Sequence, residues 1–453
     1  MNLIGYIKDY LPFYRRNLIV AIPVVLSQLG QGVVILADSI MVGSLGTNEL
    51  AAASFANAII LVGYLFVLGI SFGATPVIGK HYSGGKHREA AVLFQNSILL
   101  DMLILLIVGA GLYVTSFYLD RMGQDTAVCE LAAPYYRWLL YSLPPLFLFQ
   151  SFKQFMEGIG DTKYAMMITL FSDALNIVLN YLLIFGKLGF PEMGMVGAGV
   201  ATFLARLTMP ILYLCVFFMR PSLMRYFYFF RVKVFSLSRL KNLGSIGIPI
   251  GFQMLIESVT FSLSAVMVGW FGAASLSSHQ VAMNLSSITF MMVSGISSAT
   301  TIRVSHQLGS HDYVSMQKAG FASMHLCSCF NFVCALLFIL FRYQIPLAFS
   351  SDPEVVELSA TLLIMAALYQ IADGLQVVTL GALRGMSDVK APMRVAVFCY
   401  LVVNLPVGYL LGVVLEMGAV GIWIGFIVGL NLAAVLLIRR FIKTSSKIMA
   451  DNR

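Results

Sequence analysis

SIGIPIGFQMLIESVTFSLSAVMVGWFG, residues 245–272, is long and apolar enough to cross a bilayer, yet it carries an acid, Glu257, near its middle. A helix of roughly 20 apolar residues spans the hydrocarbon. A carboxylate at its centre costs roughly 3 kcal/mol or more, and is kept mainly where a cavity, a cation or a proton makes use of it. The segment 19–46 repeats this stretch at a constant offset, 226 residues from Pro23 to Pro249. Ile22-Pro23 matches Ile248-Pro249, Met41-Val42-Gly43 matches Met267-Val268-Gly269, and Gly46 matches Gly272. The acid is not repeated. Gln31 stands where Glu257 stands, and Asp38 sits two helical turns further along.

Working outward, the 453 residues are 59% hydrophobic and only 11% charged. Soluble domains carry about a quarter charged residues, so a soluble globule is excluded. Long apolar runs without strand-like alternation predict an all-α polytopic membrane protein, since lipid offers no partner to unpaired backbone groups. Twelve spans can be read between residues 18 and 439. The fourth is placed at 132–156, and five of the six cysteines fall within spans, with Cys129 in a loop.

The repeat continues beyond the first helix. Gly69-Ile70-Ser71 matches Gly295-Ile296-Ser297, and Thr75 matches Thr301. Gly158, Asp161 and Lys163 match Gly385, Asp388 and Lys390, with the offset drifting by a residue as loop insertions allow. Six spans per unit is an even number, so both units enter the membrane from the same side. The expected organisation is a first lobe at 1–219, a cytoplasmic linker at 220–244 and a second lobe at 245–453, the lobes related by a pseudo-twofold axis. The linker, RPSLMRYFYFFRVKVFSLSRLKN at 220–242, is basic and aromatic and is expected to lie at the lipid headgroups.

The net charge of +8 does not point to nucleic acid. Of the 29 Lys and Arg, only Arg121, Lys187 and Arg342 fall on the side away from the N-terminus, and Arg137 and Arg206 fall within helices. The rest cluster on the side of the N-terminus, which places both termini in the cytoplasm of a multi-pass inner-membrane protein.

Five acids fall within spans: Asp38, Asp101, Asp173, Glu257 and Asp373. Glu257 and Asp373 both count to the membrane midplane, each with an aromatic ring one turn away, Phe261 and Tyr369. Such a pair suits a cation, and no basic residue of the second half is placed to neutralise it. In the first half, Asp38, Asn176, Asn180 and Thr202 fall at comparable heights. Their oxygen ligands suit Na⁺, or a protonatable acid with hydrogen-bonding partners. Gln28 and Gln31 extend this polar face inward, and Asp173 lies one turn from Asn176. Phe261, Gln28, Gln31, Gln253 and Asp173 are the residues expected to face a transported compound. Arg206 is expected to pair with Asp101 or Asp173. No nucleotide-binding, zinc-protease or nucleophile-elbow motif occurs, so neither an enzyme nor an ATP-driven pump is indicated.

The chain resembles the multidrug and toxic compound extrusion (MATE) transporters, specifically the NorM-like bacterial branch, over nearly its whole length. The resemblance is carried by IPVVLSQLGQGVVILADSIMVG at 22–43, MEGIGDTKYAM at 156–166, LNIVLNY at 175–181, IESVTF at 256–261 and YQIADGLQVVTLGALRGMSD at 369–388. It implies two six-helix lobes and export of amphipathic, often cationic compounds in exchange for Na⁺ or H⁺, with membrane lipids as surroundings, a monomer, and no cofactor besides the coupling ion. By the same resemblance Asp38 matches the essential acid of the first helix. Asn176, Asn180 and Thr202 match first-lobe cation ligands, and Glu257 and Asp373 match second-lobe acids with Tyr369 beside them. Pro23 matches a proline linked to bending of the first helix. The alternative is a lipid-linked saccharide flippase of the same superfamily. An anionic headgroup would call for several cavity cations, where only Arg206 and Arg137 are available.

Overall fold

A computed structural model describes residues 3–230 and 235–452, with side chains of the first helix described from Lys8 onward. Among the described residues the regular structure is helical. The helices are numbered here by the span each forms: α1 (Leu3–Gly43), α2 (Thr47–Ser83), α3 (His87–Thr115), α4a (Thr126–Tyr141) with α4b (Leu143–Gly158), α5 (Lys163–Phe185) and α6 (Gly194–Met219). The second set is α7 (Leu237–Gly269), α8 (Ala273–Gly309), α9 (Tyr313–Leu340), α10 (Pro353–Gly385), α11 (Lys390–Val414) and α12 (Gly418–Asp451).

Eleven of these are long and apolar enough to span a bilayer. The twelfth is interrupted at Ser142, ahead of Leu143-Pro144-Pro145. Consecutive prolines lack N–H groups and crowd the preceding turn, so a helix restarts at them rather than running through. This fourth span also begins earlier than its apolar run suggests, because the Asp125 carboxylate accepts from the Ala127 amide (3.4 Å) and starts the helix there. Cys129, expected in a loop, is therefore in the first turn of α4a and buried.

The chain divides into two compact units, one of Met1–Val25 with Phe252–Arg453 and the other of Leu26–Gly251. The division runs through α1 and α7, in each case two residues past the repeated proline, Pro23 or Pro249. It does not run through the 220–244 connector. In the first unit, Asn17 on α1 donates to Ala319 O (3.0 Å) and Ser323 Oγ (2.8 Å) on α9. In the second, Gly247 and Gly251 on α7 press against the α2 backbone at Ile70 and Phe66.

Inside each unit the same contacts recur. Thr75 Oγ1 donates to the carbonyl of Gln154 (3.2 Å), and its counterpart Thr301 donates to that of Gly381 (2.9 Å). A methyl group on Gly158 would meet Thr75 O, and one on Gly385 would meet Thr301 O at 2.9 Å. Likewise Gly69 faces the backbone of Gly251, and Gly295 faces that of Val25. Lipid offers no hydrophobic drive between helices, so close approach over small residues and interhelical hydrogen bonds do this work.

From Leu237 the expected connector already belongs to α7, and its first part forms the short helix Pro221–Phe227. Its Tyr226 and Phe227 pack on Phe155 (5.1 Å) and Phe217 (5.0 Å) of the second unit. Residues 231–234 of the expected linker lie outside the described residues.

Candidate functional site

Each unit holds an acid-bearing polar cluster that joins several helices. In Leu26–Gly251, Asp38 on α1 accepts a hydrogen bond from the Asn180 amide of α5. Asn180 also donates to Asn176 Oδ1 (3.2 Å), and Asn176 donates to Thr202 Oγ1 of α6 (3.5 Å). The structure thus links the four side chains Asp38, Asn180, Asn176 and Thr202 in that order. Helical spacing explains the row: Asn176 and Asn180 are one turn apart on α5, and the glycine face of α6 lets it come close. A methyl on Gly197 would meet Leu183 O of α5 at 2.6 Å.

Gln28 and Gln31 lie half-buried on α1 in the same unit. Asp173 is half-buried as well, its carboxylate against Gly30 of α1, where a methyl would lie 2.8 Å from Oδ2. The expected pairing of Arg206 with Asp101 or Asp173 is not made. Arg206 Nη1 donates to Ser142 Oγ (2.7 Å) at the break in the fourth span, within electrostatic reach of Asp38. Asp101 accepts instead from Ser151 Oγ (2.6 Å). The break supplies the partner for the arginine, and a neutral hydroxyl satisfies the acid.

In the other unit, Glu257 on α7 and Asp373 on α10 lie within electrostatic reach of each other, as their depths predict. Asp373 is 7% exposed, and its Oδ1 meets no hydrogen-bond donor in the protein. Glu257 Oε1 accepts from the Tyr400 hydroxyl (3.1 Å), which in turn accepts from Gln376 Nε2 (2.6 Å). Tyr400 lies in a part of α11, Val397–Asn404, wound as a π-helix. Such wider turns are uncommon and recur at functional sites. Tyr369 is buried beside Asp373 and joins an aromatic wall: Trp423 (5.6 Å) and Phe426 (6.3 Å), with Phe261 stacked on Phe426 (5.0 Å). Trp423 Nε1 donates to His279 Nδ1 (3.1 Å).

Tyr400, Gln376, Trp423 and Phe426 are missing from the sequence reading. They are apolar or neutral residues on helices with no charged marker, and only folding brings them to Glu257. The repeat gave no help either, since Ser172 stands roughly where Tyr400 does.

Two basic residues placed at the membrane surface by counting are inside. Lys153 and Glu157 form a buried i,i+4 pair at 3.9 Å. Arg384, near the end of α10, donates through Nη2 to Gln253 Oε1 (3.4 Å) and is within electrostatic reach of Glu257. The expectation that no base of the second half approaches these acids is therefore corrected. Side chains on a helix lean toward its N-terminus, so Arg384 points back into the unit from a position at the helix end. Gln253, expected open to a transported compound, is 2% exposed and engaged by this arginine. Among the described residues, four ion pairs fall within 4.0 Å: Lys153–Glu157, Arg239–Glu89, Lys318–Asp9 and Arg440–Asp388. Asp38, Glu257 and Asp373 belong to none of them.

A duplicated, all-helical, multi-pass membrane protein with an acid-bearing polar cluster inside each lobe has the architecture of a membrane carrier. The chain belongs to the MatE family, whose sequence model matches residues 23–182 and again 249–410. The two matches begin at Pro23 and Pro249, the prolines that open the internal repeat. It is 34% identical over 433 residues to the multidrug resistance protein NorM of Photobacterium profundum, covering 94% of each chain. It is 32% identical over 449 residues to a probable multidrug resistance protein NorM of Mannheimia succiniciproducens, covering 98% of this chain and 96% of the relative. Its fold is that of a Vibrio cholerae MATE transporter crystallised in the bent form, with a TM-score of 0.87 at 18% identity over 97% of this chain and 99% of that one.

Proposed function

We propose that this protein is a multidrug efflux antiporter that exports amphipathic, cationic compounds in exchange for Na⁺ or H⁺. The observation that carries the reading is the pair Glu257 and Asp373. Two carboxylates lie within electrostatic reach of each other at a depth that counts to the membrane midplane, beside the aromatic cluster of Phe261, Tyr369, Trp423 and Phe426, and among the described residues neither is in an ion pair within 4.0 Å. Negative charge in an apolar setting, faced by aromatic rings, attracts an organic cation or an inorganic one. The names of the relatives support the drug-export part of this reading.

Exchange then follows from competition. A coupling ion on the acids lowers the affinity for a drug cation, and by linkage the drug lowers the affinity for the ion by the same factor. Each occupant biases the lobes between openings on opposite sides of the membrane. The first-lobe row Asp38–Asn180–Asn176–Thr202 supplies a second acid with hydrogen-bonding partners, suited to Na⁺ or a proton, and Gln28, Gln31 and Asp173 extend it. The acids of the second lobe incline the coupling toward Na⁺.

The protein is proposed to act as a monomer in the inner membrane, both termini cytoplasmic, taking small molecules rather than nucleic acid. The comparisons do not favour the flippase alternative. The test is efflux of a fluorescent organic cation from proteoliposomes under a Na⁺ gradient and, separately, under a proton gradient. Efflux driven by one gradient and absent without it supports antiport; equal efflux with both gradients collapsed overturns it.

A further inference from the structure

Arg384 has a setting the antiport chemistry above does not use. Its guanidinium reaches back from the end of α10 to Gln253 through one long hydrogen bond (3.4 Å), while its Nε, buried, meets no acceptor in the protein. Gln253 is equally under-satisfied, its buried Nε2 finding no acceptor. Gln253 precedes Glu257 by one turn on the same face of α7, so the next acceptor along that face is the Glu257 carboxylate. Arg384 already lies in electrostatic reach of it without forming an ion pair, and Glu257 is held by a neutral donor, the Tyr400 hydroxyl. The first lobe shows the contrast. There Glu157 occupies the position equivalent to Arg384, next to the repeated glycines Gly158 and Gly385, and its charge is matched from its own helix by Lys153. The charge of Arg384 has no such partner on α10. A guanidinium is always charged and cannot be neutralised by losing a proton, so it can only find an anion or stay loosely held.

We propose that Arg384 is a tethered counter-cation of the second lobe, held on Gln253 while the coupling cation occupies Glu257 and moving one turn onto Glu257 as that cation leaves. The acid then never stands uncompensated in the membrane interior, and the arginine competes the ion off toward the end of α10 from which it approaches. Arg384 acts here as a positioning residue on Glu257. The proposal rests on the antiport reading and adds to it a mechanism of ion release.

The experiment measures equilibrium binding of ²²Na⁺ and, in parallel, proton uptake by potentiometric titration, on purified full-length protein. Gradient-driven efflux is measured in proteoliposomes. Arg384→Gln is expected to bind the coupling cation about tenfold more tightly than the wild type and to lose about tenfold in efflux rate, because the competitor is gone. Arg384→Lys, which keeps the charge, is expected to restore both within about threefold. Gln253→Met frees the guanidinium for Glu257 and is expected to act with the opposite sign, weakening cation binding about tenfold. Unchanged or weaker binding in Arg384→Gln with its thermal midpoint intact overturns the proposal. So does tightening that persists in the double variant Glu257→Gln/Arg384→Gln. Should Arg384→Gln fail to fold, Gln253→Met decides alone: unchanged or tighter binding there overturns it. Wild-type efflux that ignores both gradients removes the antiport reading itself, a result distinct from any of these.

Discussion

At the scale of single residues, the decisive chemistry is a few carboxylates kept without a permanent cation. Replacing Asp38 with Asn, Glu257 with Gln or Asp373 with Asn removes the charge while keeping the shape. Each is expected to cut ion-coupled efflux by about tenfold or more, roughly 1.4 kcal/mol in barrier, with membrane insertion unchanged. Dye efflux beside detergent-solubilised yield checks this, and full efflux in all three variants would remove the basis of the antiport reading. Tyr400 offers a finer test. Its hydroxyl donates to Glu257 Oε1, which stabilises the ion-free carboxylate. Tyr400→Phe gives up about 1 kcal/mol of that stabilisation, so the site is expected to bind its cation about fivefold more tightly. A titration of ²²Na⁺ or protons on the purified variant reads the sign directly; weaker binding would mean that Tyr400 is itself a ligand.

At the scale of helices, packing rests on small residues at repeated places. A side chain on Gly251 would collide with Phe66 O at 2.7 Å, and one on Gly295 with the backbone of Val25 at 2.8 Å. Gly251→Leu and Gly295→Leu are therefore expected to lower stability by about 1–3 kcal/mol each, visible as a fall in thermal midpoint in detergent. Gly109 and Gly111 on α3 have nothing within 4 Å. Changing either to Ala is expected to leave the midpoint unchanged or raise it, since alanine is the better helix former by about 1 kcal/mol. Equal losses at all four positions would show that the glycines act through backbone flexibility, not close contact. The break in the fourth span belongs to this scale too. Its prolines are visible in the sequence, but the arginine that fills it comes from α6.

At the scale of the whole chain, the two compact units do not coincide with the two halves of the sequence. Residues before Val25 pack within the unit that holds Phe252–Arg453. A protein cut in the connector after Phe230 is therefore expected to yield halves that are unstable apart. Expressed together they should co-purify and recover efflux, and a stable, monodisperse 1–230 fragment would contradict that. The duplication, the helical class and the buried acids were all legible in the sequence. Hydrophobic length, proline and glycine placement and the repeat are properties of the chain read along one dimension, and lipid allows few other solutions for such a pattern. Asp38, Asn176 and Asn180 could be grouped because depth along a helix follows from counting residues. The loose tether of Arg384 to Gln253, the Tyr400 donor on its π-wound turn, the Ser142 partner of Arg206 and the exchange of helix segments at Pro23 and Pro249 were decided only in three dimensions. Each depends on which way a side chain points around its helix and which neighbour it meets, and that is set by packing between segments far apart in sequence.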